Sequence, residues 1–217
     1  MLINSSSEHS TDAAMSAQAD HPANFVVLIL AAGLSRRLGE PKQLVLKNNI
    51  PLIRYIAELA IGLNPQSIVV IANDSIDGAN VLKDLPLHIV VNPQAHTGMA
   101  SSLQLGAEFL KDHRGPVLIV GIDQPLLNAA YLQKLLQHSK QHPTKNIVSH
   151  YAQTIGIPAV IQPELLQKTQ DLSGDSGLKK LLMQQGDKTI KVPAPELAFD
   201  IDTTEDLIHA REQGWID

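Results

Sequence analysis

The sequence contains no cysteine, only 3% aromatic residues and no long apolar run. Without cysteine, the chain cannot form a disulfide, a thiolate nucleophile, a zinc–thiolate site or an iron–sulfur cluster with cysteine ligands. The longest apolar run covers the ten residues from Phe25 to Leu34, which is too short to cross a bilayer. We therefore expect a cytoplasmic protein that makes no membrane contact.

Positive charge is also scarce. The 17 Lys and Arg residues against 22 Asp and Glu residues give a formal net charge of −5. Extended contact with a phosphate backbone requires a positive excess, so we expect no nucleic-acid partner. Any anionic ligand must be held by a few local cations.

The chain has 217 residues, 44% of them hydrophobic, which is enough for one sizeable core. Residues 1–24 are rich in Ser, Ala and Asp, contain no Lys or Arg and show no apolar periodicity. This composition predicts a disordered tail, and the tail lacks the basic start and apolar centre of a secretory signal. A single domain over residues 25–217 is expected to follow.

Short apolar runs alternate with longer amphipathic stretches from Phe25 onward. The apolar runs are FVVLIL, SIVVIA, HIVV, PVLIVGI, GIPAVI, TIKV and a last predicted strand, LAFDID; the amphipathic stretches are PLIRYIAELAIGL, SSLQLGAEFLKD, AAYLQKLLQHSK, GLKKLLMQQ and a final helix capped by Thr203. The alternation predicts a single-domain, Rossmann-like α/β fold, in which a mostly parallel sheet has helices on both faces. Ligands bind such sheets at the carboxyl ends of the strands, so the loops after FVVLIL and PVLIVGI are candidate sites.

The loop after the first strand combines small residues with cations. It contains Gly33, Gly39, Arg36, Arg37 and Lys42, and small residues allow a ligand to approach the backbone while cations bind phosphate oxygens. Neither GxxxxGK[ST] nor GxGxxG is present. The residues alone leave two interpretations open, a phosphate-binding loop or an ordinary turn with solvated arginines.

Longer sequence blocks favour the first interpretation. The string AAGLSRRLGEPKQ resembles the AAGxSxRMGxPK signature of nucleotidyltransferases that activate a phosphorylated acceptor, particularly the molybdenum cofactor cytidylyltransferase group. The blocks NPQAHTGMASSLQLG, GIDQPLL, LSGDSGLKKLL and DIDTTEDL are similar to further blocks of that group and follow in the same order. The sequence departs from the group's pattern at Leu38, at Gln124 and at Ile157-Pro158, and the last of these falls in the expected acceptor region.

The resemblance implies a nucleotide-diphospho-sugar transferase-like fold and assigns roles to the charged residues. Arg37 would hold the β- and γ-phosphates, and Lys42 would reach the α-phosphate. Asp123, expected at the end of a strand, is assigned to Mg²⁺, with a helix cap as the alternative. Asp200 or Asp202, expected to alternate along the last strand, would complete the metal site; the choice stays open, as does a capping role for Asp202.

The resemblance also places further residues at the ligands. Arg36 is expected to point outward. The candidates are Ala31, Ala32 and Gly33 at the base, Gly98, Ser101 and Ser102 before a helix at the ribose and base, and Gly174 and Asp175 at the acceptor-side loop. A plain helix start would use the same serines, and Ser-Gly-Asp-Ser-Gly would also suit a surface turn. In the family, AAG rather than AGG favours cytidine over guanosine.

The function implied is a Mg²⁺-dependent CTP:molybdopterin cytidylyltransferase that releases pyrophosphate and forms a dinucleotide molybdenum cofactor. Its partners would be CTP, a molybdopterin-type cofactor and, transiently, a molybdenum hydroxylase or its chaperone. Two alternatives remain. One is a cytidylyl- or guanylyltransferase acting on another phosphorylated acceptor, such as methylerythritol phosphate; the other is a non-catalytic carrier of nucleotide or cofactor, against which the intact Arg37, Lys42 and Asp123 argue.

Overall fold

The structure is a computed structural model that describes residues 23–74, 76–174 and 177–217. The predicted tail, residues 1–24, lies outside the described residues except for Ala23 and Asn24, so its disorder stays a prediction. The first strand begins at Ala23, two residues before the predicted start of the domain. In this described part, none of the helices has the length and apolar character needed to cross a membrane.

Nine strands and seven α-helices make up the described chain. The strands are β1 (Ala23–Ala31), β2 (Leu46–Lys47), β3 (Ile50–Pro51), β4 (Pro65–Ala72), β5 (His88–Val91), β6 (Val117–Gly121), β7 (Asn146–Tyr151), β8 (Thr154–Ile161) and β9 (Thr189–Pro193). The helices are α1 (Leu52–Ile61), α2 (Ile76–Asn80), α3 (Met99–Phe109), α4 (Ala129–Gln141), α5 (Pro163–Gln167), α6 (Leu178–Met183) and α7 (Thr204–Glu212).

The main sheet has seven strands in the order β5-β4-β1-β6-β8-β7-β9. β1 pairs in parallel with both β4 and β6, β4 with β5, and β7 with β9. The predicted mostly parallel α/β sheet is therefore confirmed. Since the chain leaves β1 toward β4 and later returns to β6 on the other side, the carboxyl ends of β1 and β6 form a topological switch point, where ligands bind in open α/β sheets.

One part of the sheet is antiparallel, which the apolar runs did not predict. β8 runs antiparallel to β6 and to β7. Ala152 and Gln153, which join β7 to β8, both have positive φ, 46° and 60°, the conformation that a tight two-residue hairpin requires. The sequence YAQT lacks the glycine or asparagine that signals such a turn, and β7 itself was not predicted.

The core lies on both faces of the sheet, as the continuous apolar runs predict. Val27 and Ile29 of β1 belong to the cluster beneath α1 and α4, whereas Val26 and Leu28 belong to the cluster beneath α3 and α6. A side chain at Gly106 of α3 would place its Cβ 2.7 Å from Leu28 Cδ2. Glycine at this position therefore lets α3 lie close to the central strand.

The prediction of a last strand over LAFDID is wrong. LAFDID contains the end of a short 3₁₀ helix, Pro195–Leu197, and an irregular segment that leads into α7. The backbone N–H of Ile201 donates to the carbonyl oxygen of Asp123 at 2.8 Å, so this segment is fixed beside the end of β6 without forming a strand. Asp200 and Asp202 are thus loop residues. The predicted cap of α7 is confirmed, because the Thr203 hydroxyl accepts from the backbone N–H of Asp206.

Candidate active site

A cleft of about 440 Å³ opens at the carboxyl ends of β1 and β6. Its walls are the loop after β1, the start of α3 with the segment before it, Asp123 after β6 and Asp202 before α7. The volume lies in the range of small-molecule sites. The cleft occupies the switch point of the sheet, where the sequence analysis placed the candidate loops.

Gln43 fixes the loop that follows β1. Its side chain is buried, and Nε2 donates to the carbonyl oxygens of Ala31 and Gly33, both at 2.8 Å. The Ser35 hydroxyl accepts from the backbone N–H of Lys42 at 2.9 Å. The two ends of the loop are therefore joined, and small residues between them face the cleft. Sequence reasoning gave Gln43 no role, although it directly follows Pro-Lys in the first motif.

Lys42 lies at the bottom of the cleft. Its side chain is only 13% exposed, and Nζ lies 2.7 Å from Asp202 Oδ1 and 3.8 Å from Asp123 Oδ2. Lys42 begins the short 3₁₀ helix Lys42–Leu44, which follows Pro41. One ammonium group thus brings together two carboxylates from distant parts of the sequence.

Both arginines of the first motif line the cleft. Arg37 is 72% exposed, and its Nη2 lies 3.5 Å from Asp202 Oδ2. Arg36 was expected to point outward; it is exposed and borders the cleft, and the direction of its side chain stays a prediction. The mouth of the cleft therefore carries the guanidinium group of Arg37 beside Asp202.

Three carboxylates converge near the end of β6. Asp123 lies two residues beyond β6 rather than at its end. The pKa of Asp200 is raised to about 7, first by burial of its carboxyl group and then by the negative charges of Asp123 and Asp202. Asp200 as a residue remains exposed, so water screens part of this repulsion. Such crowding of negative charge favours a cation beside the carboxylates.

Gln124 and Tyr151 form the buried side of this cluster. Gln124 is only 2% exposed; its Nε2 donates to the Leu197 carbonyl oxygen at 3.1 Å, while its Oε1 has no hydrogen-bond partner among the described residues. Burial and the nearby charge of Asp200 raise the pKa of Tyr151 to about 12. The phenol of Tyr151 donates to the Ile157 carbonyl oxygen at 2.9 Å. Sequence analysis noted Gln124 only as a departure from the family pattern and did not identify Tyr151.

The donor set suits a hard divalent cation. Asp123 and Asp202 both reach one ammonium group, so a cation of similar size can contact both carboxylates, and Mg²⁺ prefers such oxygen ligands. The described residues hold no ready-made group of three or more His, Asp or Glu side chains arranged around a metal position. One or two carboxylates suffice when substrate phosphates and waters supply the remaining ligands.

The start of α3 forms the opposite wall. Gly98, with φ of 114°, precedes the helix, and Ser101 and Ser102 lie inside its first turn rather than before it. The side-chain amide of Asn92 donates to both serine hydroxyls, at 2.9 and 3.0 Å. Gly98 and Ser102 line the cleft, and Ser101 does not. Asn92, to which the sequence gave no role, therefore holds this wall in position.

The remaining candidates divide between the cleft and its surroundings. Ala32 and Gly33 line the cleft, whereas Ala31 is buried at the end of β1. Gly174 does not line it; its carbonyl oxygen accepts from the backbone N–H of Ala100 in α3 at 3.1 Å. Asp175 lies outside the described residues, so its predicted role stays a prediction.

Comparison with known proteins decides the family. The model of the MobA-like NTP transferase domain matches residues 27–189. The chain belongs to this family. The match agrees with the nucleotidyltransferase family that the sequence blocks predicted. The MobA-like match does not extend to the choice of base or acceptor.

Solved structures confirm the fold as nucleotide-diphospho-sugar transferase-like. A homologue of Mycobacterium tuberculosis Rv0371c from Mycobacterium sp. strain JC1 superposes with a TM-score of 0.75, 24% identity and coverage of 88% of this chain and 96% of that chain. Rv0371c from Mycobacterium tuberculosis in complex with manganese superposes with a TM-score of 0.68 and 20% identity, over 88% of this chain and 99% of that chain. Molybdopterin-guanine dinucleotide biosynthesis protein A from Archaeoglobus fulgidus superposes with a TM-score of 0.67 and 16% identity, over 87% of this chain and 97% of that chain.

Curated relatives match this chain over part of their length. Bifunctional protein GlmU from Anaeromyxobacter dehalogenans strain 2CP-1 is 28% identical over 141 residues, which is 62% of this chain and 28% of that protein. Bifunctional protein GlmU from Synechococcus sp. strain JA-3-3Ab is 30% identical over 121 residues, which is 54% of this chain and 19% of that protein. The chain thus spans less than a third of the length of these relatives.

Proposed function

We propose that this nucleotidyltransferase transfers CMP from CTP to the phosphate of a molybdopterin-type cofactor and releases pyrophosphate. A phosphate oxygen of the acceptor forms a bond to the α-phosphorus of CTP, and the bond from that phosphorus to the oxygen bridging to the β-phosphate breaks. The dinucleotide cofactor then passes to a molybdenum hydroxylase or its chaperone in the cytoplasm.

The position of Lys42 carries the proposal. Its ammonium lies 2.7 Å from Asp202 and is mostly shielded from water, at the bottom of a cleft whose mouth holds Arg37. Phosphoryl and nucleotidyl transfer depend mainly on positioning and on neutralising charge. A cleft with one cation at its mouth and another beside carboxylates at its bottom is suited to a triphosphate.

Each charged residue then has a separate task. Arg37 binds the β- and γ-phosphates, which become the leaving group. Lys42 binds the α-phosphate and stabilises the charge that develops there, an effect that is large for preorganised charges in sites with little water.

Asp123 and Asp202 would hold Mg²⁺, since these two carboxylates share one cation in the structure. When bound, Mg²⁺ neutralises triphosphate oxygens and makes the α-phosphorus easier to attack. Asp200 lies beside this pair as a carboxyl group with a raised pKa. The complex of Rv0371c with manganese supports a divalent cation in proteins of this fold.

The base and ribose are assigned to the wall between the first loop and α3. Backbone groups of Ala32 and Gly33 and the side chain of Ser102 face this part of the cleft. Leu34 and Met99, exposed by 41% and 45%, supply apolar surface there, on which a base can rest. The preference for CTP rests on the AAG sequence alone, and the acceptor on the similarity of the later blocks to the cytidylyltransferase group.

The deciding measurement is pyrophosphate release from CTP, GTP, ATP and UTP, each with Mg²⁺ and with or without molybdopterin cofactor. We expect release only with CTP and only when the cofactor is present. Release from GTP instead of CTP would identify guanosine as the nucleoside that is transferred. In a further reaction with methylerythritol phosphate in place of the cofactor, release from CTP would identify that compound as the acceptor. If a nucleotide raises the melting temperature while no combination of nucleotide and acceptor releases pyrophosphate, this result would favour the non-catalytic carrier.

Variants of the carboxylate–lysine group test the mechanism. Lys42→Ala removes the preorganised cation, and we expect kcat to fall by about 10²- to 10³-fold with the fold intact; Asp123→Asn should lower it by a similar factor. Lys140→Ala, which removes a charge from an exposed position of α4, is the matched control. Full turnover by Lys42→Ala and Asp123→Asn would refute the assigned roles.

A further inference from the structure

A second cavity, of about 580 Å³, lies between α6 and the outer strands β7, β8 and β9. None of the residues that line it belongs to the lining of the nucleotide cleft. The assignment of nucleotide, metal and acceptor residues above uses none of its side chains. Its function is therefore a separate question from that of the cleft.

The titratable side chains that line this cavity are all basic. Lys179 comes from α6, Lys191 from β9 and His150 from β7. The described residues that line the cavity include no Asp or Glu, and neither lysine forms an ion pair with another described residue. In a chain with a net charge of −5, two unpaired ammonium groups and an imidazole on one concave surface favour an anion.

An apolar surface completes the cavity. Leu182 and Ile155 are buried against the cavity, and Met183 is 67% exposed at its edge. These groups suit the organic part of a ligand.

We propose that the second cavity binds an organic phosphate, whose phosphate group contacts Lys179 and Lys191 and whose apolar part contacts Leu182 and Met183. Two ammonium groups match a phosphate dianion better than they match a carboxylate, which carries a single charge. The site is independent of nucleotide transfer in the first cleft, and it binds its ligand whether or not the cleft is occupied.

The test uses phenyl phosphate as the probe and the full chain labelled with ¹⁵N. We expect amide shifts at residues 150–155 and 179–191 that saturate, and that persist when pyrophosphate and Mg²⁺ occupy the first cleft. The double variant K179A/K191A should weaken binding at least tenfold. The control K134A/K140A removes two exposed lysines of α4 and should bind as the wild type does.

Circular dichroism melting of each variant separates loss of the site from loss of the fold. Shifts confined to residues 32–42 and 98–102 would overturn the proposal, because the probe would then bind only in the nucleotide cleft. Equal weakening in K134A/K140A would also overturn it, by showing a general charge effect. Phenol that binds as tightly as phenyl phosphate would show an apolar cavity without a phosphate site. None of these outcomes depends on whether the cleft transfers CMP.

Discussion

At the scale of single residues, close packing around the Asp123 carboxylate restricts where this group can lie in the candidate site. Gly121, the last residue of β6, faces Asp123: a Cβ at this position would lie 2.7 Å from Asp123 Oδ1 and 3.3 Å from Ile157 Cδ1. Gly121 thus gives the Asp123 carboxylate the space in which it approaches Lys42.

We therefore expect Gly121→Ala to turn the Asp123 carboxylate away from Lys42. Because the displaced group is the end of a side chain, the fold should persist, while the affinity for Mn²⁺ in the presence of CTP falls about tenfold. Calorimetric titration measures the affinity. Gly78→Ala in α2, where a Cβ meets no atom within 4 Å, is the control. Unchanged Mn²⁺ affinity in Gly121→Ala would place the metal elsewhere.

At the scale of elements, α7 connects a helix cap to the site. The Thr203 hydroxyl accepts from the backbone N–H of Asp206, and the Asp206 carboxylate accepts from the backbone N–H groups of Thr203 and Asp202, at 2.8 and 3.1 Å. Although burial acts to raise the pKa of Asp206, these hydrogen bonds hold it below its usual value. The same box that begins α7 thus fixes the backbone of Asp202.

Asp206→Ala should therefore have two effects. Loss of the capping box should lower the free energy of unfolding by about 1 kcal/mol, and release of Asp202 should weaken nucleotide binding in the presence of Mg²⁺. Urea denaturation and a binding titration measure the two quantities. Glu205→Ala removes the same charge from the same helical turn and is expected to change either quantity little. A variant Asp206→Ala that loses stability but binds nucleotide normally would show that the cap does not position Asp202.

The elements also show what the sequence can and cannot predict. β1, β4 and β6 were predictable because strands buried on both faces must be apolar throughout, and Thr203 was predictable because capping is a local interaction. β5 was predictable from its short apolar run, although it is a partly exposed edge strand. Asp200 and Asp202 were assigned to a strand because apolar and acidic residues alternate in Phe-Asp-Ile-Asp. In the structure this segment is fixed instead by the hydrogen bond between the backbones of Ile201 and Asp123, a contact between distant residues that no local sequence pattern predicts. The roles of Gln43 and Asn92 likewise depend on backbone atoms and hydroxyls that only the folded chain brings near them.

At the scale of the whole molecule, an ion-pair group joins α1 to the segment between α2 and β5. Arg54 donates to both carboxylate oxygens of Asp84, at 2.7 and 2.9 Å, and to Glu58 at 2.8 Å. The hydrogen bond from Arg54 lowers the pKa of Asp84 from 3.8 to about 2. A carboxylate whose pKa is lower in the folded chain stabilises the fold above its unfolded pKa and loses this effect as the pH falls through the folded value.

Asp84→Asn should therefore be less stable than the wild type at pH 7, and the difference should shrink as the pH falls from 3.8 toward 2. The pair is exposed, so added salt should also reduce the difference. Urea denaturation at several pH values measures this dependence. Asp187→Asn, whose carboxylate forms no ion pair among the described residues, is the control. A difference that stays constant down to the lowest pH would contradict the assignment.

The contact between Lys42 and Asp202 joins residues 160 positions apart in the sequence. The backbone of Asp202 is held by the helix that follows it. During synthesis, a nascent chain that already has β1, β4, β6 and Asp123 still lacks the Asp202 carboxylate. The full set of contacts around Lys42 therefore forms only once α7 has been made, and a translation product that stops before α7 cannot acquire it.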